Sequence, residues 1–368
     1  MRNVFIILLF AHSLIHLMGF AQAFELADVR QIKGPISRSL GIFWLVAAVL
    51  FSATGILVVA HIAWWWISCL AALVFSQIAI IRSWSDAKYG TVINIMLAVS
   101  LAVPVANSLQ SSFAGIYRRE VEKGLTRVSA MPPLEEEDIR HLPLPVQRYL
   151  IYTGSVGKPR LQNVRATLTG QMQMTTDGSW IDITARQYDF FDQSTRLFFI
   201  ESTMYGVPLE GLHLYEGESA TMRIRLASLI QVVDARGPEM NRGETVTLFN
   251  DMCLLAPASL IDPRISWETI DSLNVDARFS NAGNTIGARL CFNDTGELTD
   301  FSSNDRYQSS DGKVYLNYRW STPVGAYREF QGYRLASYGE AIWHTPEGDQ
   351  TYARFNIHEV EFNGTEYR

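Results

Sequence analysis

Residues 39–81 contain no Asp, Glu, Lys or Arg, and charge-free runs at 3–24 and 89–117 flank them. A spanning helix needs about 20 apolar residues, so the central run is long enough for two. The first 112 residues therefore predict four spans, at 3–23, 39–60, 63–81 and 90–110. His61, followed by Trp64, Trp65 and Trp66, marks a tight hairpin between the second and third, because amphipathic rings settle at headgroup level. Pro104 falls inside the fourth span, where a bundle tolerates a kink.

Residues 113–160 predict a helical stalk: Phe113 to Thr126 extends the fourth span, Met131-Pro132-Pro133 breaks it, and Leu142-Pro143-Leu144-Pro145 opens a short helix that ends before Gly154 and Gly157. From Leu161 the period changes to two. Trp180–Ala185, Met222–Leu226, Ile286–Phe292, Val314–Trp320 and Phe355–Ile357 alternate apolar and polar positions at strand spacing. Turn signals separate them at Asp177-Gly178, Glu216-Gly217, Ala282-Gly283-Asn284, Asp294-Thr295-Gly296, Asp311-Gly312 and Glu347-Gly348. The pattern predicts about ten antiparallel strands over 161–368, with one helical insertion near 239–260. Such a sheet needs cover for its apolar face, and the insertion is the obvious lid. The fold class is a four-helix transmembrane bundle followed by a large antiparallel sheet with one covering helix.

Charge sharpens this division. Residues 1–112 carry six Lys/Arg against three acids; residues 113–368 carry 25 basic against 34 acidic side chains. No clustered basic face of the kind nucleic acid requires is present, so no nucleic-acid partner is expected. Five of the basic residues, Arg30, Lys33, Arg38, Arg82 and Lys88, lie in two short loops, against Arg2 alone on the opposite side. The positive-inside rule then puts both loops in the cytoplasm and both chain ends outside. A rival reading takes Arg2, the first apolar stretch and Ala21-Gln22-Ala23 as a signal peptide, which leaves three spans and a cytoplasmic soluble domain.

Candidate chemistry is sparse. There is no phosphate-cradling glycine loop, no His-Glu-x-x-His and no Gly-x-Ser-x-Gly elbow. His141, His213, His344 and His358 are scattered, Asp305-Arg306 reads as an ion pair or turn contact, and no metal site or cofactor is expected. His12 and His16 share one face of the first span, and ionisable groups inside a membrane are candidates for function. Interhelical hydrogen bonding to Ser76, Gln77 or Asn94, metal or haem ligation, and a proton or ligand pathway are the alternatives. Cys69 reads as a packing residue. Cys253, on the insertion helix, and Cys291, on a strand beneath it, form a candidate disulfide in an oxidising compartment.

One resemblance covers nearly the whole chain. His12–Phe20, Gly34–Arg38, Trp44-Leu45, Ser85–Gly90, Leu142–Leu150, Ala256–Leu260, Asn304–Tyr307 and Ser321–Val324 resemble a bacterial family of unknown function, DUF6544. For the soluble part the resemblance implies a curved sheet similar to the LolA/LppX lipoprotein carriers, whose concave face holds acyl chains. The expectation that follows is a non-enzymatic binding module for a lipid or other hydrophobic ligand, at a bacterial inner membrane with its soluble domain outside. Its partners are membrane lipid and a hydrophobic small ligand, and its observable is an apolar cavity lined by inward strand residues, with Phe292 and Trp320 as ligand contacts. An envelope assembly protein and a redox or metal protein using His12 and His16 are the other readings.

Overall fold

In a computed structural model, which describes residues 2–173, 178–309 and 311–368, the chain divides into two compact units, Met1–Leu109 and Gln110–Arg368. Asp177 of the expected Asp177-Gly178 turn lies outside the described residues.

The charge-free runs of the first unit form α1 (Arg2–Ala23), α2 (Arg38–Val59), α3 (Trp65–Arg82), a one-turn α4 (Trp84–Ala87) and α5 (Gly90–Ser108). Four helices are long and apolar enough to cross a membrane. Leu9, Ala47, Phe51, Cys69, Ala72 and Leu97 fill their shared interior, while Val4, Ile7, Leu14, Val49 and Val99 are exposed. Helices apolar on both faces are suited to hydrocarbon. Small residues allow close approach: a Cβ on Gly19 would come within 2.2 Å of the Trp44 ring. The Asp86 carboxylate accepts the Lys33 and Gly34 N–H groups at 3.1 and 2.9 Å. The two basic loops therefore share one end of the bundle.

The second unit opens with α6 (Phe113–Leu125), separated from α5 by residues 109–112 and capped by Ser112, whose hydroxyl accepts the Gly115 N–H at 2.9 Å. Phe113, Tyr117, Val121 and Leu125 repeat at helical spacing and bury against Tyr188, Phe190, Leu197, Phe199 and Leu212. After α7 (Glu136–Ile139), α8 (Leu144–Tyr152) sends Val146, Tyr149 and Leu150 into the main core. The expected stalk is thus corrected: residues 113–160 carry too much buried apolar surface to stand apart, and they wall the sheet instead.

The strands are β1 (Asn163–Gln173), β2 (Trp180–Phe190), β3 (Thr195–Met204), β4 (Val207–Glu216), β5 (Ser219–Leu226) and β6 (Ile230–Arg236). Helix α9 (Pro238–Leu255) and a 3-10 turn (Pro257–Ile261) follow. Then come β7 (Ile265–Thr269), β8 (Asn274–Asn281), β9 (Asn284–Phe292), β10 (Leu298–Ser303), β11 (Tyr307–Gln308), β12 (Leu316–Asn317), β13 (Arg319–Ser321), β14 (Val324–Phe330), β15 (Tyr333–Thr345) and β16 (Gly348–Phe362). Among the described residues they build one 14-stranded antiparallel sheet, ordered β6-β5-β4-β3-β2-β1-β16-β15-β13-β10-β9-β8-β7 with β14 beside β15. The expected strand at 314–320 is split, since β12 pairs only with β11 while β13 joins the main sheet.

Helix α9 packs against β5, β6, β9, β10 and β15. β5 and β9 stand nine places apart in the sheet, roughly 43 Å along a flat one at about 4.8 Å per strand, whereas a helix is only about 10–12 Å across. The sheet must curl around the helix. Every residue from Gly243 to Cys253 is accordingly buried, as expected of a helix surrounded on all sides. The helix expected as a lid is the filling of the curl.

Candidate functional site

Alternation on β2 to β4 turns Gln187, Asp189, Arg196 and His213 toward α9, which answers with Glu244 and Asp251, seven residues and two turns apart. Arg196 is the hub: its Nε donates to Asp251 Oδ2 at 2.5 Å and its Nη1 to Glu244 Oε2 at 3.1 Å, while His213 Nδ1 lies 3.3 Å from Glu244 Oε1. The Gln187 amide donates to both Asp189 and Asp251, at 2.7 and 2.8 Å. Burial would raise Glu244, but Arg196, His213 and Arg306 outweigh it and hold the carboxyl at about 2. Asp189 goes the other way, pushed well above the usual range by burial and by the Asp251 charge. Its Oδ1 is buried without a hydrogen-bond partner. Arg306 completes the inner cluster by lying 4.2 Å from the Trp320 ring centroid and donating to Tyr352 at 2.9 Å.

A polar cavity of about 740 Å³ lies at the β7 to β10 end of the sheet. Arg242, Arg278, Arg289 and Arg319 line it, with Glu268, Asp276 and Asp305. Arg289 grips Asp276 with two bonds of 2.7 and 2.8 Å. Arg242 reaches from the start of α9 to Asp305 Oδ1 at 2.5 Å, and Asp305 Oδ2 accepts the Gly287 N–H at 2.6 Å. Arg319 donates only a long bond to Ser302, 3.4 Å. Among the described residues, neither Arg278 nor Arg319 has a carboxylate within ion-pair reach.

Beside the cavity, Ser321 Oγ lies 2.8 Å from His344 Nε2, and His344 Nδ1 lies 2.6 Å from Asp349 Oδ1. The order matches a nucleophile–base–acid relay, but the surroundings do not. Ser321 is 3% exposed, the Asp349 side chain is 68% exposed, and the next amide, Thr322 N–H, is committed to Phe301 O at 2.8 Å. These residues form a cross-strand row that ties β13 to β15 and β16. Asp300, on the same face, is lifted by burial to about 6 against the pull of Arg319.

The family of unknown function DUF6544 matches residues 132–355, more than half of the chain. The chain belongs to DUF6544. The matched region holds the ionic cluster, the arginine-lined cavity and the Ser321 row, whereas the apolar helices and α6 precede it. No curated protein matches the chain. Among solved structures it is similar to a domain described as an outer membrane lipoprotein-sorting protein from Vibrio parahaemolyticus, at 11% identity and TM-score 0.34, covering 60% of this chain and 91% of that one. A DUF1329 protein of Desulfovibrio piger (9%, TM-score 0.34, covering 59% and 91%) and a LolA superfamily protein of Nitrosomonas europaea (10%, TM-score 0.34, covering 59% and 92%) are similar to the same extent. A likeness at this level brings no function with it.

In the DUF6544 region, Phe292 and Trp320 are 5% and 3% exposed. Phe292 packs on Tyr149 with centroids 5.6 Å apart, and Trp320 packs edge-on to Phe301. Phe249 of α9 packs on Phe279 and Phe301, with Leu290 in the same core, so the expected apolar cavity is replaced there by side chains. The Cys253–Cys291 disulfide is also corrected. Both thiols are free, because Cys253 points into the curl while Cys291 pairs with Asp300 and Asn274 on the outer face.

In the first unit, His12 Nε2 lies 3.0 Å from Asn94 Oδ1, and His16 Nε2 lies 2.9 Å from Ser76 Oγ. Ser76 Oγ donates to Asn94 Oδ1 at 3.0 Å, and Asn94 Nδ2 donates to Gln77 Oε1 at 2.9 Å. His61 lies at the other end of α1, 3.0 Å from Arg2. Among the described residues no three His, Cys, Asp or Glu side chains converge as a metal site.

The cavity and the ionic cluster were missed from sequence. The one available signal was the unusual pair Glu244 and Asp251 inside a helix otherwise suited to burial.

Proposed function

We propose that this protein is a membrane-anchored, non-enzymatic binding module whose ligand is a lipid or lipid-like amphiphile held by its anionic group. The observation that carries this reading is the cavity at the β7 to β10 end. Four guanidinium groups line it, Arg242 and Arg289 are held in place by carboxylates, and Arg278 and Arg319 are left for an incoming anion. Arginine's planar fork suits phosphate and carboxylate oxygens, and about 740 Å³ is within the range of small-ligand sites. The packed interior favours capture by the polar end over enclosure of an acyl chain, since Phe292 and Trp320 are both buried among other side chains.

Native mass spectrometry and lipid extraction of the full-length protein test this directly. An anionic lipid should co-purify and be lost from the Arg278→Ala/Arg319→Ala double variant while Arg289→Lys keeps part of it. A protein that retains folded mass, carries no lipid and binds no added anionic lipid would falsify the reading and promote an envelope assembly role, which the filled interior otherwise favours.

The anchoring part of the proposal has both chain ends outside the cytoplasm, because the loops joined by Asp86 hold Arg30, Lys33, Arg38, Arg82 and Lys88. Reporter fusions after Arg368 should be active only as an extracytoplasmic enzyme; activity of a cytoplasmic reporter there reverses the topology.

A further inference from the structure

Two neighbouring hairpin tips of the second unit expose apolar side chains that no packing requirement explains. Tyr205 is 94% exposed at the β3–β4 turn, and Leu229, Ile230 and Val232 are 52–61% exposed at and after the β5–β6 turn, with Val207 beside them. The tips are joined by the Ala227 N–H, which donates to Pro208 O at 2.7 Å. Tyr205, Ala227 and Ser228 all have φ between 51° and 59°. Such positions favour Gly or Asn, so turn chemistry did not select these residues. A contiguous exposed apolar patch on a water-soluble face marks an interaction surface.

The chain itself says what covers it. Arg225, two residues before the β5–β6 turn, donates to Ser111 O at 3.2 Å, and its guanidinium lies 4.2 Å from the Phe113 ring centroid, with Arg223 at 5.2 Å. α5 ends at Ser108. At no more than about 3.5 Å per residue, Ser111 is tethered within roughly 10 Å of that helix end. Two arginines and a tyrosine beside an aliphatic tip match the lipid interface, where guanidinium groups meet phosphate and Tyr sits between water and hydrocarbon.

We infer that the β3–β4 and β5–β6 tips dock on the surface of the bilayer that holds α5, with Tyr205, Leu229 and Ile230 entering the interface and Arg223 and Arg225 at the phosphates. The docking rests on the membrane-anchored reading and is separate from ligand capture by the cavity. Full-length protein carrying Cys291→Ser is reconstituted into nanodiscs of phosphatidylglycerol and phosphatidylcholine and spin-labelled at Tyr205→Cys, at Ile230→Cys, or at the control turn Glu347→Cys. The oxygen-to-nickel-chelate accessibility ratio at 205 and 230 should exceed that at 347 several-fold, and Leu229→Asp in the Tyr205→Cys background should lower it toward the control. Equal ratios at all three sites overturn the docking, as does exclusion of both reagents at 205, which means a protein partner or second copy covers the tip. Failure of the protein to enter nanodiscs sinks the anchoring and the docking together, whereas incorporation with a water-exposed label sinks the docking alone.

Discussion

The helical unit and the sheet unit both bury polar side chains, and they satisfy them by different means. Among the described residues of the helices, the buried polar groups are imidazoles, hydroxyls and a carboxamide: His12, His16, Ser13, Thr54, Ser76 and Asn94. Under α9 they include a guanidinium and carboxylates, Arg196, Glu244, Asp251 and Asp189. A hydrogen bond between uncharged groups loses modestly when broken, because a neighbour or water substitutes. A buried charge whose partner is removed has no such substitute. The bundle is therefore tolerant and the curl around α9 is brittle, although both look equally well connected.

The widest gap between them should appear at Arg196. Arg196→Met leaves Asp251 without its cation and Glu244 with only Arg306 at 4.0 Å and His213 beside it, and unfolding of the sheet unit should be easier by about 3–5 kcal/mol, read by chemical denaturation of the full-length protein. A loss below about 1 kcal/mol would mean that water reaches the cluster and that the curl is not brittle. Asp189→Asn should be close to neutral by the same measurement, since burial and the Asp251 charge already disfavour an ionised carboxyl there.

Acid sharpens the same contrast. Glu244 falls from an ordinary 4.5 to about 2 on folding, so its stabilisation is present above about 4.5 and is lost as pH drops toward 2. Glu244→Gln should flatten stability against pH across that window. An unchanged acid profile in the variant would place the acid-sensitive group elsewhere.

Next in size come the helices. Asn94→Leu removes the acceptor shared by His12 and Ser76 and the donor to Gln77, yet such bonds within membrane bundles are worth about 0.6 kcal/mol on average and up to about 1.7. Unfolding in mixed detergent micelles should shift within that range. A shift as large as that of Arg196→Met would erase the distinction between the units.

The smallest effect concerns the thiols. Cys253 is buried on α9 while Cys291 is on the outward face of β9 and both thiols are free, so a reductant should leave the melting temperature unchanged, and Cys291→Ser should cost within about 0.5 kcal/mol as a substitution away from the core. A reductant-dependent melt would contradict the face assignment.

The sequence by itself determined the four apolar helices, the change of period near Leu161, the turns at Glu216-Gly217, Ala282-Gly283, Asp294–Gly296, Asp311-Gly312 and Glu347-Gly348, and the helix beginning at Pro238. Each of these is written locally, as a run without charge, an alternation, or a residue tolerant of positive φ, and each is legible within about 20 residues. Only the tertiary structure decided that α6 and α8 wall the sheet rather than form a stalk, and that α9 fills the curl instead of covering an open face. It also decided that Cys291 looks away from Cys253, and that Arg278, Arg289 and Arg319 share one cavity. These follow from strand register and from the curl of a 14-stranded sheet, in which a one-residue slip reverses every face and partners such as Arg196 and Asp251 meet across 55 residues of chain. No local pattern encodes which face of β3 will meet which turn of α9, because that choice is made by the packing of the whole sheet around one helix.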